Sequence, residues 1–88
     1  MSEALPMEAT PAAILEGIAE VARRHLDWGG RLDRDQRLVE DLELDSMRLF
    51  TLAAELENHF RIHLGEEDEA QLETVGDLVD LIGRKLGG

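Results

Sequence analysis

Ser46 is the side chain in this sequence best placed for chemistry, in the run Leu42-Glu43-Leu44-Asp45-Ser46-Met47. Before it the chain has no sustained period. After it Leu49, Leu52, Ala53, Leu56 and Phe60 recur at helical spacing, and Phe50 is expected to widen that stripe. The hydroxyl therefore falls where a loop becomes a helix. The first N–H groups of a helix lack intrahelical acceptors, and the dipole is positive there. An anion attached to Ser46 would gain about 0.3–1 kcal/mol. Other chemistry is poorly supplied. The chain has no cysteine, so no disulfide, no Cys-based metal site and no side chain able to form a thioester; such chemistry would need a thiol brought by a cofactor. His25, His59 and His63 lie on or beside other helical segments, with no metal-ligand spacing and no nucleophile to serve. Asp33-Arg34-Asp35 lacks the glycine and the closing glutamate of a calcium loop.

Something must hold that serine in place. Eighty-eight residues make one small domain, and 43% hydrophobic content with two Phe and one Trp implies a core of Leu, Ile, Val and Ala. Thr10-Pro11 offers a cap followed by proline at the first helical position. Ile14, Leu15, Ile18, Val21, Ala22 and Leu26 then predict a helix over 11–26, stopped by Trp28-Gly29-Gly30. Trp28 is expected to lid its end. Residues 27–45 read as a loop anchored on the core by Leu32, Leu38, Val39, Leu42 and Leu44.

The second helix should open at Ser46, capped by the Asp45 carboxylate. Phe60 to Leu64 reads as its frayed end and an extended exit to Gly65. Glu66 to Leu72 supports one or two turns. Thr74-Val75-Gly76-Asp77 matches a helix start, followed by Val75, Leu78, Val79, Ile82 and Leu86. The expectation is an all-α fold: a small three-to-four-helix bundle with a long loop between helices one and two, over 10–88, after a flexible tail at 1–9.

A net charge of −11 argues against nucleic acid and favours basic partners. The acids cluster: Glu66 to Asp80 holds seven with no Lys or Arg, while five arginines lie between Arg23 and Arg37. The start of the chain has no basic, apolar leader pattern, and no stretch reaches membrane-spanning length, so the chain reads as cytoplasmic.

Leu42, Leu44, Asp45, Ser46, Met47, Leu52, Leu56, Glu57 and Phe60, with Thr74, Val75 and Leu78, resemble the acyl carrier protein family over about residues 11–86. The resemblance implies that Ser46 receives 4′-phosphopantetheine from coenzyme A, with Asp45 and Met47 as its motif neighbours. A separate phosphopantetheinyl transferase, using Mg²⁺, would attach it. The arm's thiol would then carry acyl groups as thioesters between the enzymes of fatty acid, polyketide or related biosynthesis. The chain itself would be a non-catalytic monomer, with acyl-loading and acyl-processing enzymes as partners.

Cargo would be expected to turn inward between helices two and three, with Leu49, Leu52, Ala53, Leu56 and Val75 as contacts. Arg48 departs from the acidic second helix usual in fatty-acid carriers. Three readings of it stand: altered docking with a dedicated or secondary-metabolism role, a pairing with the cofactor phosphate, or an exposed arginine with no special role. Two alternatives stand beside this reading. One is an aminoacyl or peptidyl carrier of a non-ribosomal pathway, against which Leu-Glu-Leu before Asp45-Ser46 weighs modestly. The other is an unmodified helical adaptor that binds a basic partner through its acids.

Overall fold

The computed structural model describes residues 10–87, so the expected tail at 1–9 lies outside the described residues. Four helices follow in order: α1 (Pro11–His25), α2 (Ser46–Phe60), α3 (Glu66–Ala70) and α4 (Val75–Gly87). Among the described residues there is no strand, only an isolated antiparallel bridge between Arg37 and Thr74. The all-α expectation, three main helices with a short one and a long first loop, is what the chain builds.

α1 is the spine. The Thr10 hydroxyl accepts from the Ala13 N–H at 3.2 Å, and Pro11 opens the helix. Ile14, Ile18, Val21 and Ala22 recur every three or four residues and are buried, so one face of α1 meets both α2 and α4. At Gly17 the helix meets the Phe60 ring of α2: a Cβ there would lie 2.5 Å from Phe60 Cζ, so a larger residue would have to displace that ring.

The end of α1 corrects one expectation. The helix stops before the glycines because Asp27 turns left-handed, at φ 62°. Leu26 and Trp28 N–H both donate to the Ala22 carbonyl, closing the last turn. Aspartate tolerates that conformation better than most residues, and this let it act as the stop.

The long loop is anchored as expected by Leu32, Leu38, Leu42 and Leu44, all buried, but Val39 is 61% exposed and takes no part. Its middle is sewn to the start of α4. Val75 N–H donates to the Gln36 carbonyl, Gly76 N–H to Arg34, and Leu38 N–H to Glu73, each at 2.9 Å. The fit at Gly76 is tight: a Cβ would lie 3.1 Å from the Arg34 carbonyl oxygen, so a side chain there would push the loop back by a few tenths of an ångström.

α2 ends at Phe60 with Arg61 in the left-handed region, and the chain leaves without regular structure to Gly65. The Leu64 N–H of that exit donates to the Glu57 carboxylate at 2.7 Å. Phe50 does not widen the core stripe: it is 67% exposed, because it lies one position round the helix from Leu49, beyond the width its neighbours cover.

α3 begins with four acids, which suit a helix N-terminus, and the Asp68 carboxylate accepts from the Gly65 N–H at 3.0 Å. None of its residues is buried. Lys85 Nζ on α4 holds it, 2.9 Å from Asp68 Oδ2. No helix among the described residues is long and apolar enough to cross a membrane.

Candidate functional site

Ser46 is the first residue of α2. Asp45 before it is extended, with φ −91° and ψ −175°, and its carboxylate accepts from the Arg48 N–H at 2.9 Å while its carbonyl accepts from Leu49 N–H at 2.8 Å. Those bonds use the third and fourth N–H groups of the turn. The Ser46 and Met47 N–H groups sit at positions with no intrahelical acceptor. Ser46, Met47 and Arg48 are all exposed, and the first turn contains no acid.

The backbone leading in is fixed from below. Leu42 and Leu44 are buried, and Leu44 N–H donates to the Leu38 carbonyl at 3.3 Å. Glu43 between them is left-handed, φ 58°, a conformation that costs a non-glycine residue about 1–3 kcal/mol and persists because the two leucines pin it. The buried leucines decide where Ser46 emerges.

The charges around the serine are arranged unevenly. Arg48 is the one Lys or Arg within α2, and its Nη1 lies 3.4 Å from the Leu26 carbonyl at the end of α1. The two carboxylates of the helix face other parts of the same chain. Glu55 Oε1 lies 3.4 Å from His25 Nε2, and Glu57, already bound to the Leu64 N–H, lies 3.5 Å from His63 Nδ1. Beside Arg48 a hollow opens between Leu26, Asp27 and Trp28 on one side and Leu42, Glu43 and Leu44 on the other. Trp28 packs on the core as a partial lid, with its indole Nε1 buried and without an acceptor among the described residues.

Farther along α2 a small cavity of about 20 Å³ brings together four of the expected acyl contacts, Leu49, Leu52, Ala53 and Leu56. Leu38 from the loop, Glu69 on α3, Leu72 after it and Leu78 on α4 complete its wall. Those four escaped the sequence reading because only the tertiary fold brings them to α2. Val75 is wholly buried at the start of α4, and neither it nor Arg48 lines this space. The cavity lies under α3, the one helix with no buried residue.

Two carboxyls near these elements are held below the usual aspartate range. For Asp68 the main cause is the Lys85 ammonium, followed by the Gly65 N–H. For Asp77 it is the N–H groups of Glu73 and then Thr74.

The family described as the phosphopantetheine attachment site matches residues 12–82. An acyl carrier protein of Tropheryma whipplei is 32% identical over 79 residues, covering 86% of this chain and 94% of its own length. The meromycolate extension acyl carrier protein of Mycolicibacterium smegmatis is 31% identical over 77 residues, covering 86% of this chain and 78% of its own. A solved structure described as an acyl carrier protein from Mycobacterium tuberculosis superposes with a TM-score of 0.71 at 36% identity. It spans 76% of this chain and 90% of that one.

Proposed function

The chain belongs to the acyl carrier protein family, and from that premise we propose that Ser46 bears its 4′-phosphopantetheine, presented by the Asp45 cap with Met47 alongside. The observation that carries this reading is the start of α2: an exposed serine as first residue, in a first turn without acids. The donor set suits a phosphodiester. Two N–H groups at the positive end of a helix dipole stand beside the hydroxyl, and the neighbouring Asp45 carboxylate is turned to the Arg48 N–H.

Proteins of this family are carriers and generally not catalysts. The cofactor, drawn from coenzyme A, supplies the thiol that a chain without cysteine lacks. The chain's own work is positional. Leu42 and Leu44 fix the approach, Asp45 caps the turn, and the serine stays clear of its neighbours for a phosphopantetheinyl transferase to reach. Its further partners in this reading are the acyl-loading and acyl-processing enzymes of fatty acid, polyketide or related biosynthesis, which it serves as a cytoplasmic monomer.

The cavity beneath α3 is where the first carbons of a cargo would be drawn. At about 20 Å³ it has room for little more than one water-sized probe, so an acyl chain enters only as α3 shifts outward. Leu49, Leu52 and Ala53 on α2 would give it an apolar wall, with Glu69 as the one charged group at its edge. Acylation should move the amide resonances of Leu52, Ala53 and Leu72; unchanged resonances would remove cargo sequestration from this account.

Attachment is tested by intact mass. Incubated with coenzyme A, Mg²⁺ and a broad-specificity phosphopantetheinyl transferase, the wild type should gain one arm. Ser46→Ala should gain none while keeping its helical circular dichroism. A wild type that takes no arm ends the carrier reading and leaves the helical adaptor, which would meet a basic partner through the acids from Glu66 to Asp80.

A further inference from the structure

We infer that the arm, when it carries no cargo, lies in the hollow between the end of α1 and the loop, against Trp28 and the leucines behind it. This rests on Ser46 being the attachment residue. The hollow begins at that serine: Leu44, two residues before it, and Arg48, two after it, both line the space. Two residues of extended chain span at most about 7 Å, so Ser46 stands at the rim. At about 460 Å³ the hollow has the size of a small-molecule site, whereas the cavity under α3 has about 20 Å³.

The lining suits the chemistry of the arm, whose two amides, hydroxyl and dimethyl carbon form a neutral chain between phosphate and thiol. Leu26, Trp28, Leu42 and Leu44 give the dimethyl and methylene groups an apolar floor. Asp27, Glu43 and Arg48 are exposed along the rim: two carboxylates able to accept from N–H and O–H groups, and one guanidinium able to donate to amide carbonyls. Two acids to one cation disfavour an anion, so the phosphate stays outside at the start of α2 and the amides enter. An acyl tail would offer those charges no partner. Two further observations point to a ligand here. Of three non-glycine residues with left-handed backbone among the described residues, Asp27 and Glu43 both line this hollow. Strain of that kind, about 1–3 kcal/mol a residue, collects at ligand sites. The Trp28 indole Nε1 is the one buried side-chain polar atom without a partner among the described residues. A small turn of the ring would let that donor meet an amide carbonyl of the arm.

The chain has one tryptophan and no tyrosine, so its emission reports on this hollow. With addition of the arm verified by intact mass, acrylamide quenching of Trp28 should fall about twofold, because a docked ligand and its pocket shield each other from solvent. Ser46→Ala carried through the same incubation should show no fall. NMR on the wild type bearing the arm reads position. The indole N–H and the methyls of Leu42 and Leu44 should give NOEs to the arm's dimethyl group. Trp28→Phe keeps an aromatic floor without the donor, and should move the dimethyl resonances part of the way back to those of free phosphopantetheine.

Unchanged quenching in a wild type that has gained the arm overturns the inference. So do NOEs from the arm to Leu52 and Ala53 in place of Leu42 and Leu44, which put it on the α3 side, and so do dimethyl resonances that Trp28→Phe leaves unmoved. A wild type that gains no mass is a different result: it removes Ser46 as the attachment residue, and this inference falls with it.

Discussion

α2 and α4 both begin with a side-chain cap, and the two starts are finished in opposite ways. At α4 the Asp77 carboxylate accepts from the N–H groups of Glu73 and Thr74, and the Thr74 hydroxyl accepts from the Asp77 N–H at 3.1 Å. The loop at 34–38 then covers the turn with backbone hydrogen bonds, and Val75 and Gly76 are buried. At α2 the side-chain cap is one bond from Asp45 to Arg48 N–H, and the residues that follow are exposed. One chemistry of capping thus serves two ends. Where the chain's own loop takes up the donors the start becomes an anchor, and where it does not the start is open to something else.

The largest effects should separate the two starts by packing. Gly76→Leu forces a side chain against the Arg34 carbonyl and should cost about 1–3 kcal/mol in urea denaturation. Phe50→Ser, although it removes a phenyl ring, should change stability by less than about 0.5 kcal/mol, as for an exposed site. Equal costs would mean the start of α2 is as deeply built in as that of α4.

Capping comes next. Asp77→Ala removes two accepted bonds and should cost about 1–2 kcal/mol, whereas Asp45→Ala removes one at an exposed turn and should cost about 0.5–1 kcal/mol. Thermal melts that rank Asp45 above Asp77 would break the comparison.

The smallest effect is its pH dependence. The Asp77 carboxyl is held below its ordinary value, so the folded state prefers it ionised. Its contribution is complete above the unfolded value, about 3.9, and is lost as pH falls through the lower folded value. The stability gap between wild type and Asp77→Ala should therefore be flat from neutral pH to about pH 5 and close in acid. A gap unchanged in acid would show that the carboxylate charge contributes nothing.

Much of this was legible because the signals are local. Thr74 and Asp77 at three-residue spacing specify a reciprocal cap, and Asp45 before an apolar stripe specifies a helix opening at Ser46. What the sequence hides is the width of the covered face. Phe50 and Val39 are apolar residues next to core positions, and among the described residues no element covers them. The end of α1 was misread for a related reason. Glycine is the usual left-handed residue, and two glycines drew attention from Asp27, whose conformation is fixed by Leu26 and Trp28 closing on Ala22. The cavity wall was half legible: the α2 side follows from periodicity, but Leu38, Glu69, Leu72 and Leu78 reach it from three other segments.

α3 has one more consequence, in the free energy of partial unfolding. A helix of five residues with nothing buried, held by an ion pair and the Gly65 cap, can open while the α1–α2–α4 core stays intact. The opening free energy of such a segment is its own and not that of the domain. A guest taken up beneath it would therefore be set against the cost of displacing five residues, and the core would keep its stability whether the carrier is empty or full.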